Sequence, residues 1–139
     1  MKRPFLFLYI ALVLCSCSLA EAAQVTVKIK NVKKNAGNVK VGLFTADKQA
    51  DFPNGKAFME KTVPANASEL SAVFDSVAYG TYAVGAFNDE NKNSKLDKVL
   101  GIPKEAYGNS GKYTKTEPKF VNSKFQIGKE DELIEFPLH

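Results

Sequence analysis

Short runs of alternating apolar and polar residues are the strongest structural signal in this chain. The first run, Gln24–Asn31, reads QVTVKIKN, so its branched apolar side chains share one side and its threonine and lysines share the other. A period of two is typical of a β-strand with one buried face. The alternation resumes at Val39 after the turn-forming residues 34–38, and this spacing predicts that the first two strands form a hairpin.

Further alternating runs predict four or five more strands. The stretch Asn88–Lys119 has few alternating positions and many asparagine, glycine, lysine and proline residues, so it is predicted to be one long ordered loop. We therefore expect an all-β fold of six or seven strands in two antiparallel sheets, a β-sandwich of the immunoglobulin-like or transthyretin-like kind. A small closed barrel is the main alternative. The further strands are centred on Phe58–Val63, Leu70–Phe74, Tyr82–Ala86, Phe125–Ile127 and Ile134–Leu138.

The N-terminal segment has the order of features found in a secretory signal peptide. Basic residues precede the apolar run Phe5–Leu14, and small residues follow up to Ala22. The apolar run is shorter than the roughly 20 residues that a membrane-spanning helix needs. We expect residues 1–22 to be a cleaved signal peptide and residues 23–139 to form a single β-sandwich domain that is periplasmic or secreted. The alternative is a lipoprotein anchored in the membrane at Cys17.

The residue types left in the predicted mature chain exclude most catalytic chemistry. Both cysteines, Cys15 and Cys17, lie in the predicted signal peptide, and the only histidine is the last residue, His139. Serine or cysteine nucleophiles activated by histidine, and ordinary zinc or copper sites, are therefore excluded. We expect a protein that is not an enzyme. The alternative is a carboxylate-dependent hydrolase acting on envelope glycans, in which Glu90 or Glu105 pairs with a second acid.

The charge balance gives no sign of a nucleic-acid partner. The chain has 19 basic and 15 acidic residues, a net charge of +4, and its basic residues are scattered lysines apart from Arg3. Lysine cannot form the planar bidentate contacts that arginine makes with phosphates and guanine edges. We expect a monomer whose partner is an envelope protein or glycan, with membrane attachment only if Cys17 is lipidated.

The densest set of oxygen-bearing side chains follows the strand predicted at Tyr82–Ala86. Residues 88–97 read NDENKNSKLD, and the oxygens counted from the first aspartate follow the spacing in the first part of an EF-hand calcium loop. Ser94 replaces the glycine of the sharp turn, and Leu100 stands where the bidentate acid is expected. Consecutive Asx-turns without metal are the alternative. The candidate calcium ligands are Asp89, Asn91, Asn93 and Asp97, the backbone carbonyl of Lys95, and Glu105 or Glu90 with waters to complete the shell.

Three segments carry a resemblance to a known family. They are Gly80–Val84, the loop Asn88–Asn93 with Asp97, and Gly101–Ser110. Together they resemble a bacterial exported family known as domain of unknown function 2141, across essentially the whole predicted mature chain. The resemblance implies a periplasmic or cell-surface β-sandwich with no established catalytic activity. It also implies that Gly101–Ser110 folds over the preceding turn and brings Glu105 within reach of an ion. Our hypothesis is a non-enzymatic envelope module, binding or structural, with a weak calcium-binding loop.

The predicted cleavage site sets the start of the mature protein. We expect its N-terminus to lie between Glu21 and Gln24, because the first strand already begins by Val25 and cleavage within that strand would remove core residues. Intact-mass measurement of the protein from envelope fractions checks this expectation. A diacylated N-terminus at Cys17 would instead establish the lipoprotein alternative.

Overall fold

The computed structural model describes residues 20–139. These residues contain ten β-strands and two short helices, joined by loops. The predicted signal peptide up to residue 19, with the lipid attachment at Cys17, lies outside these residues. Within them, no helix has the length and apolar character needed to cross a bilayer. The strands are β1 (Ala22–Lys30), β2 (Asn38–Thr45), β3 (Met59–Pro64), β4 (Leu70–Ala78), β5 (Gly80–Asp89), β6 (Lys98–Val99), β7 (Ile102–Pro103), β8 (Tyr107–Asn109), β9 (Phe125–Ile127) and β10 (Glu132–Pro137); the helices are a 3-10 helix (Ala46–Asp51) and α1 (Phe120–Ser123).

The strands form two main sheets and a small hairpin. The first sheet has the order β10–β1–β4, with β1 antiparallel to β4 and parallel to β10. The second has the order β3–β2–β5–β8, and β9 pairs with the other end of β5. Strands β6 and β7 form a separate two-stranded hairpin. This arrangement confirms the predicted all-β sandwich. It has more and shorter strands than expected, because β6, β7 and β8 lie within Asn88–Lys119, the segment predicted to be one long loop. The parallel β1–β10 pair also departs from the antiparallel expectation.

The core lies between the two sheets and is built by side chains at every second position of their strands. This is the period of two that predicts the strands, because alternate residues face the opposite sheet. Burial of each such side chain stabilises the fold by about 1.5–3 kcal/mol relative to exposure. The most deeply buried are Val25, Val27, Ile29, Phe74 and Val77 in the first sheet and Val39, Val41, Leu43 and Val84 in the second.

The predicted hairpin between the first two strands is wrong, because β1 and β2 belong to different sheets. The connection between β1 and β2 packs against the core. Val32 in this connection is buried, and its amide donates a hydrogen bond to the carbonyl of Ser68 at 3.0 Å. Asn31, Asn35 and Gly37 take left-handed conformations there, with φ of 57°, 61° and 66°. The turn-forming residues therefore lead the chain across the core, so that the apolar faces of β1 and β2 meet.

The second sheet is also covered on its outer face. A second apolar cluster there contains the rings of Phe44, Phe52 and Phe120, with Ala57 and Ala83 between them. Phe52 meets Phe44 and Phe120 edge to face, with ring centroids 5.3 and 6.1 Å apart. Strand β5 is thus buried on both faces, which explains why its middle, Tyr82–Phe87, contains only apolar and aromatic residues and a glycine. The same cluster fixes the far end of the long loop to the sheet.

Ser110 fills the gap between β8 and β9 along the edge of β5. Its amide donates to the carbonyl of Val84 at 2.9 Å, and its hydroxyl oxygen accepts the amide of Val84 at 2.9 Å. The hydroxyl donates in turn to the carbonyl of Ser123 at 2.6 Å. Strands β8 and β9 are therefore two short pieces of one interrupted edge.

Gly37, in the β1–β2 connection, packs closely against the backbone at the end of β5. A Cβ atom at this position would overlap the carbonyl oxygen of Asp89 and lie 2.7 Å from that of Glu90. We expect Gly37→Ala to lower the free energy of unfolding by about 3 kcal/mol, because left-handed strain and a backbone clash add together. Urea denaturation measures this loss.

Gly101→Ala is the matched control for this substitution. Gly101 also has a positive φ, 78°, but nothing lies within 4 Å of a Cβ atom placed there. The control variant should therefore lose only about 1 kcal/mol, from left-handed strain alone. Equal losses in the two variants would contradict the close approach of the chain at Gly37.

Candidate functional site

The end of β5 places two buried polar residues, Asn88 and Asp89, at the start of the candidate site. The side chain of Asn88 reaches the β1–β2 connection: its Oδ1 accepts the amide of Lys33 at 2.9 Å, and its Nδ2 donates to the carbonyl of Ala36 at 2.6 Å. Its own amide donates to the carbonyl of Ala106 at 2.8 Å. Asn88 therefore ties three segments together, with a partner for each end of its buried side-chain amide.

The carboxylate of Asp89 organises the turn that follows β5. It is buried, and its two oxygens accept the backbone amides of Asn93 at 3.0 Å and Ser94 at 2.9 Å. Ser94 has a φ of 63°, a conformation that glycine supplies most readily and that suits the sharp turn of an EF-hand loop. The sharp turn is therefore formed even though Ser94 replaces the glycine of an EF-hand loop.

The two asparagines of the turn bind both the backbone and a second acid. Asn91 Oδ1 accepts the amide of Asn93 at 3.2 Å, and Asn93 Oδ1 accepts the amide of Lys95 at 2.9 Å, which makes two consecutive Asx-turns. Their Nδ2 atoms donate to the two oxygens of Asp97, at 2.6 Å from Asn91 and 2.9 Å from Asn93. The Asx-turns of the metal-free alternative are thus present, and calcium binding stays a prediction.

Glu105 accepts hydrogen bonds from the backbone at both ends of this turn. It is buried, and its two oxygens accept the backbone amides of Glu90 at 2.9 Å and Asp97 at 3.1 Å. The neighbouring Lys104 amide adds a bond to the carbonyl of Asp97 at 2.8 Å. Hydrogen bonds to a charged acceptor are about twice as strong as neutral ones. The sequence suggested Glu105 as an ion ligand, and the structure shows in addition that it positions the backbone of the loop.

The structure therefore brings most of the predicted ligands together. The side chains of Asp89, Asn91, Asn93 and Asp97 are linked through one hydrogen-bonded turn, and Lys95 joins it through its amide. Leu100, at the twelfth loop position, is 98% exposed and lies apart from this turn, at the tip of the β6–β7 hairpin. Within residues 20–139, no group of three or more histidine, cysteine, aspartate or glutamate side chains is arranged to hold a metal ion. An ion here would depend on amide and carbonyl oxygens as well as carboxylates.

The carboxylates proposed for a hydrolase have structural partners. Glu90 binds the ammonium group of Lys33 at 2.7 Å, while the oxygens of Glu105 face backbone amides. A cavity of about 120 Å³ lies beside β6 and β7, and neither acid lines it. Its wall includes Tyr107, whose pKa is raised by burial and by the nearby Tyr113 and Glu117, so that its hydroxyl stays protonated. The hydrolase alternative stays a prediction.

Comparison of the sequence with models of known protein families identifies one match. A family model described as "Uncharacterized protein conserved in bacteria (DUF2141)" matches residues 27–135. The chain belongs to this family. The match confirms the resemblance carried by the loop motifs, and it spans the sandwich from β1 into β10 together with the whole turn at Asp89. Searches of curated proteins and of solved structures gave no match.

The role of Glu105 can be tested by a nearly isosteric change. In Glu105→Gln, one backbone amide keeps an oxygen acceptor, whereas the other faces an NH₂ group. We expect the free energy of unfolding to fall by about 2–3 kcal/mol, because a charged acceptor is lost and a buried donor is left without a partner. Urea denaturation gives the total, and hydrogen exchange at the amides of Glu90 and Asp97 should accelerate.

Glu130→Gln is the control for the loss of one negative charge. Glu130 is exposed in the connection between β9 and β10, and its substitution should change stability by less than about 0.5 kcal/mol. If Glu105→Gln is equally mild, or if the two loop amides keep their protection, Glu105 does not hold the loop.

Proposed function

We propose that this protein is a non-enzymatic exported protein of the bacterial envelope, a binding or structural β-sandwich module whose loop after β5 holds one weakly bound calcium ion. The observation that carries the proposal is the turn at Asp89, in which one buried carboxylate accepts the amides of Asn93 and Ser94. Export is supported by the basic, apolar and small-residue order of the first 22 residues.

The loop is better suited to binding than to catalysis. Asp89 and Glu105 use their oxygens to fix four backbone amides, so these acids order the chain instead of facing a substrate. A loop that is already ordered loses less conformational entropy when a partner binds. The exposed side chains of Asn91, Lys92 and Lys95 present amide and ammonium groups to an envelope protein or glycan.

Calcium fits the ligand types in this turn. It takes six to eight oxygen ligands, and the turn offers two carboxylates, the amide oxygens of Asn91 and Asn93, and the carbonyl of Lys95. The oxygens of Asp97 now accept the Nδ2 atoms of both asparagines, so an ion has to displace these two donors. This competition and the nearby lysines favour a dissociation constant of about 10⁻⁴ to 10⁻³ M.

Calcium should therefore stabilise the domain measurably but modestly. At about ten times the dissociation constant, mass action adds about 1.4 kcal/mol, which raises the melting temperature by about 5 °C for a domain of this size. We expect this rise between thermal melts in chelator and in about 5–10 mM calcium. Asp97→Asn, which removes one ligand carboxylate, should abolish most of the rise.

Asp51→Asn is the matched control, because Asp51 is exposed in the 3-10 helix, away from the turn. It should melt with the same calcium response as the wild type. A wild-type protein that gains nothing from calcium, or an Asp97→Asn variant that gains as much as the wild type, would leave only the Asx-turns to explain the loop.

A further inference from the structure

The β6–β7 hairpin carries an exposed apolar tip. Val99 pairs with Ile102, and the two residues between them, Leu100 and Gly101, have φ of 50° and 78°. Two consecutive positive φ values in a two-residue hairpin loop are the mark of a type I′ turn. Val99, Leu100 and Ile102 are 52%, 98% and 69% exposed. Three neighbouring branched apolar side chains therefore project into solvent.

Leu100 breaks two local rules at once. Type I′ turns favour asparagine, aspartate or glycine, because a left-handed backbone crowds the Cβ atom of a larger residue. Leu100 takes this conformation and also leaves almost its whole side chain in water. Neither feature stabilises the isolated domain. A residue that breaks local rules without a gain in the fold is expected at a functional position.

Lysines flank the hairpin. Lys98 begins β6, Lys104 follows β7 and Lys95 lies in the preceding loop, and all three are exposed. Lys115, from the far part of the long loop, lines the cavity beside the hairpin. Of these four, Lys98 alone has a salt-bridge partner within residues 20–139, Glu117 at 3.5 Å.

Three acids of the same region are engaged in hydrogen bonds within the loop. Asp89 and Glu105 are buried and bind backbone amides, and the oxygens of Asp97 accept the asparagine side chains. Glu117, the exposed acid beside the hairpin, is paired with Lys98. Lys95, Lys104 and Lys115 therefore leave the surface around the hairpin with an excess of positive charge.

We propose that the β6–β7 hairpin docks on an anionic lipid bilayer, with the side chain of Leu100 inserted between the lipids and the surrounding lysines on their headgroups. Apolar side chains flanked by lysines are the composition of interfacial membrane anchors, since the long lysine stems reach back to the headgroups. Protein interfaces are instead rich in aromatic residues and arginine. The tip has neither. Docking requires neither calcium nor a lipid at Cys17.

The absence of tryptophan from the chain allows a direct measurement at the tip. Leu100→Trp introduces a single reporter there, and Leu133→Trp introduces one at an exposed apolar position of β10, 62% exposed. Both variants are mixed, in chelator, with vesicles of phosphatidylcholine alone or with about one third phosphatidylglycerol. We expect the emission of the first reporter to shift to the blue only with the anionic vesicles, and the shift to be lost at about 0.5 M salt.

The control reporter at position 133 should not respond. Because both variants share the same N-terminus, an anchor at Cys17 would affect the two reporters alike. An unchanged spectrum at position 100, or equal shifts at both positions, overturns the proposal. A shift that grows with protein concentration in the absence of vesicles also overturns it, because the occupant is then a second copy of the chain.

Leu100→Asn separates the binding role from a structural one. Asparagine suits the type I′ turn, so the variant should melt at a higher temperature than the wild type. Its affinity for anionic vesicles should fall by about tenfold, because the inserted side chain is lost. Leu133→Asn should leave this affinity unchanged. A Leu100→Asn variant that binds anionic vesicles as tightly as the wild type contradicts insertion of Leu100.

Discussion

The long loop depends on two buried carboxylates. Asp89 and Glu105 together accept four backbone amides, and these bonds fix a segment that has few apolar residues to bury. Each hydrogen bond to a charged group contributes about 1.5–3 kcal/mol, and a domain of this kind is stable by only about 5–15 kcal/mol in total. The order of the loop is therefore set by electrostatics within the protein, and the sandwich beneath it is set by hydrophobic contact between sheets.

Seven of the ten strands could be predicted from the sequence, whereas β6, β7 and β8 lie in the segment predicted to be one long loop, and the pairing of the strands could not be predicted. Alternation is a local signal, and it located even the weak strand that became β3. Pairing is a property of distant segments: β1 lies beside β10, with Val27 opposite Ile134, although about a hundred residues separate them in the chain. The turn-forming residues before β2 signal a change of direction, and the same residues serve a hairpin or a crossing between sheets. The burial of Val32 distinguishes a crossing between sheets from a hairpin, and this burial depends on contacts with residues distant in the sequence.

In the candidate site, too, the contacts between residues close in sequence could be predicted, and those between distant residues could not. The spacing from Asp89 to Asp97 predicted a single turn because each of its hydrogen bonds joins residues close in sequence. The backbone role of Glu105 joins residues 8 and 15 positions apart, and no local pattern encodes it. Leu100 stands at the position of a missing acid in the EF-hand spacing, and the glycine after it is a signal for a tight turn.

The interrupted edge of the second sheet has a consequence for how copies of the protein behave in a crowded solution. A long unpaired strand is a template on which another chain adds by backbone hydrogen bonding. Along β5 this surface is divided between two three-residue strands, and Ser110 occupies the space between them. The opposite edge, β3, carries Glu60 and Lys61 on exposed positions and ends at Pro64. Both edges thus discourage sheet extension, so copies that meet through this sheet must do so by their side chains.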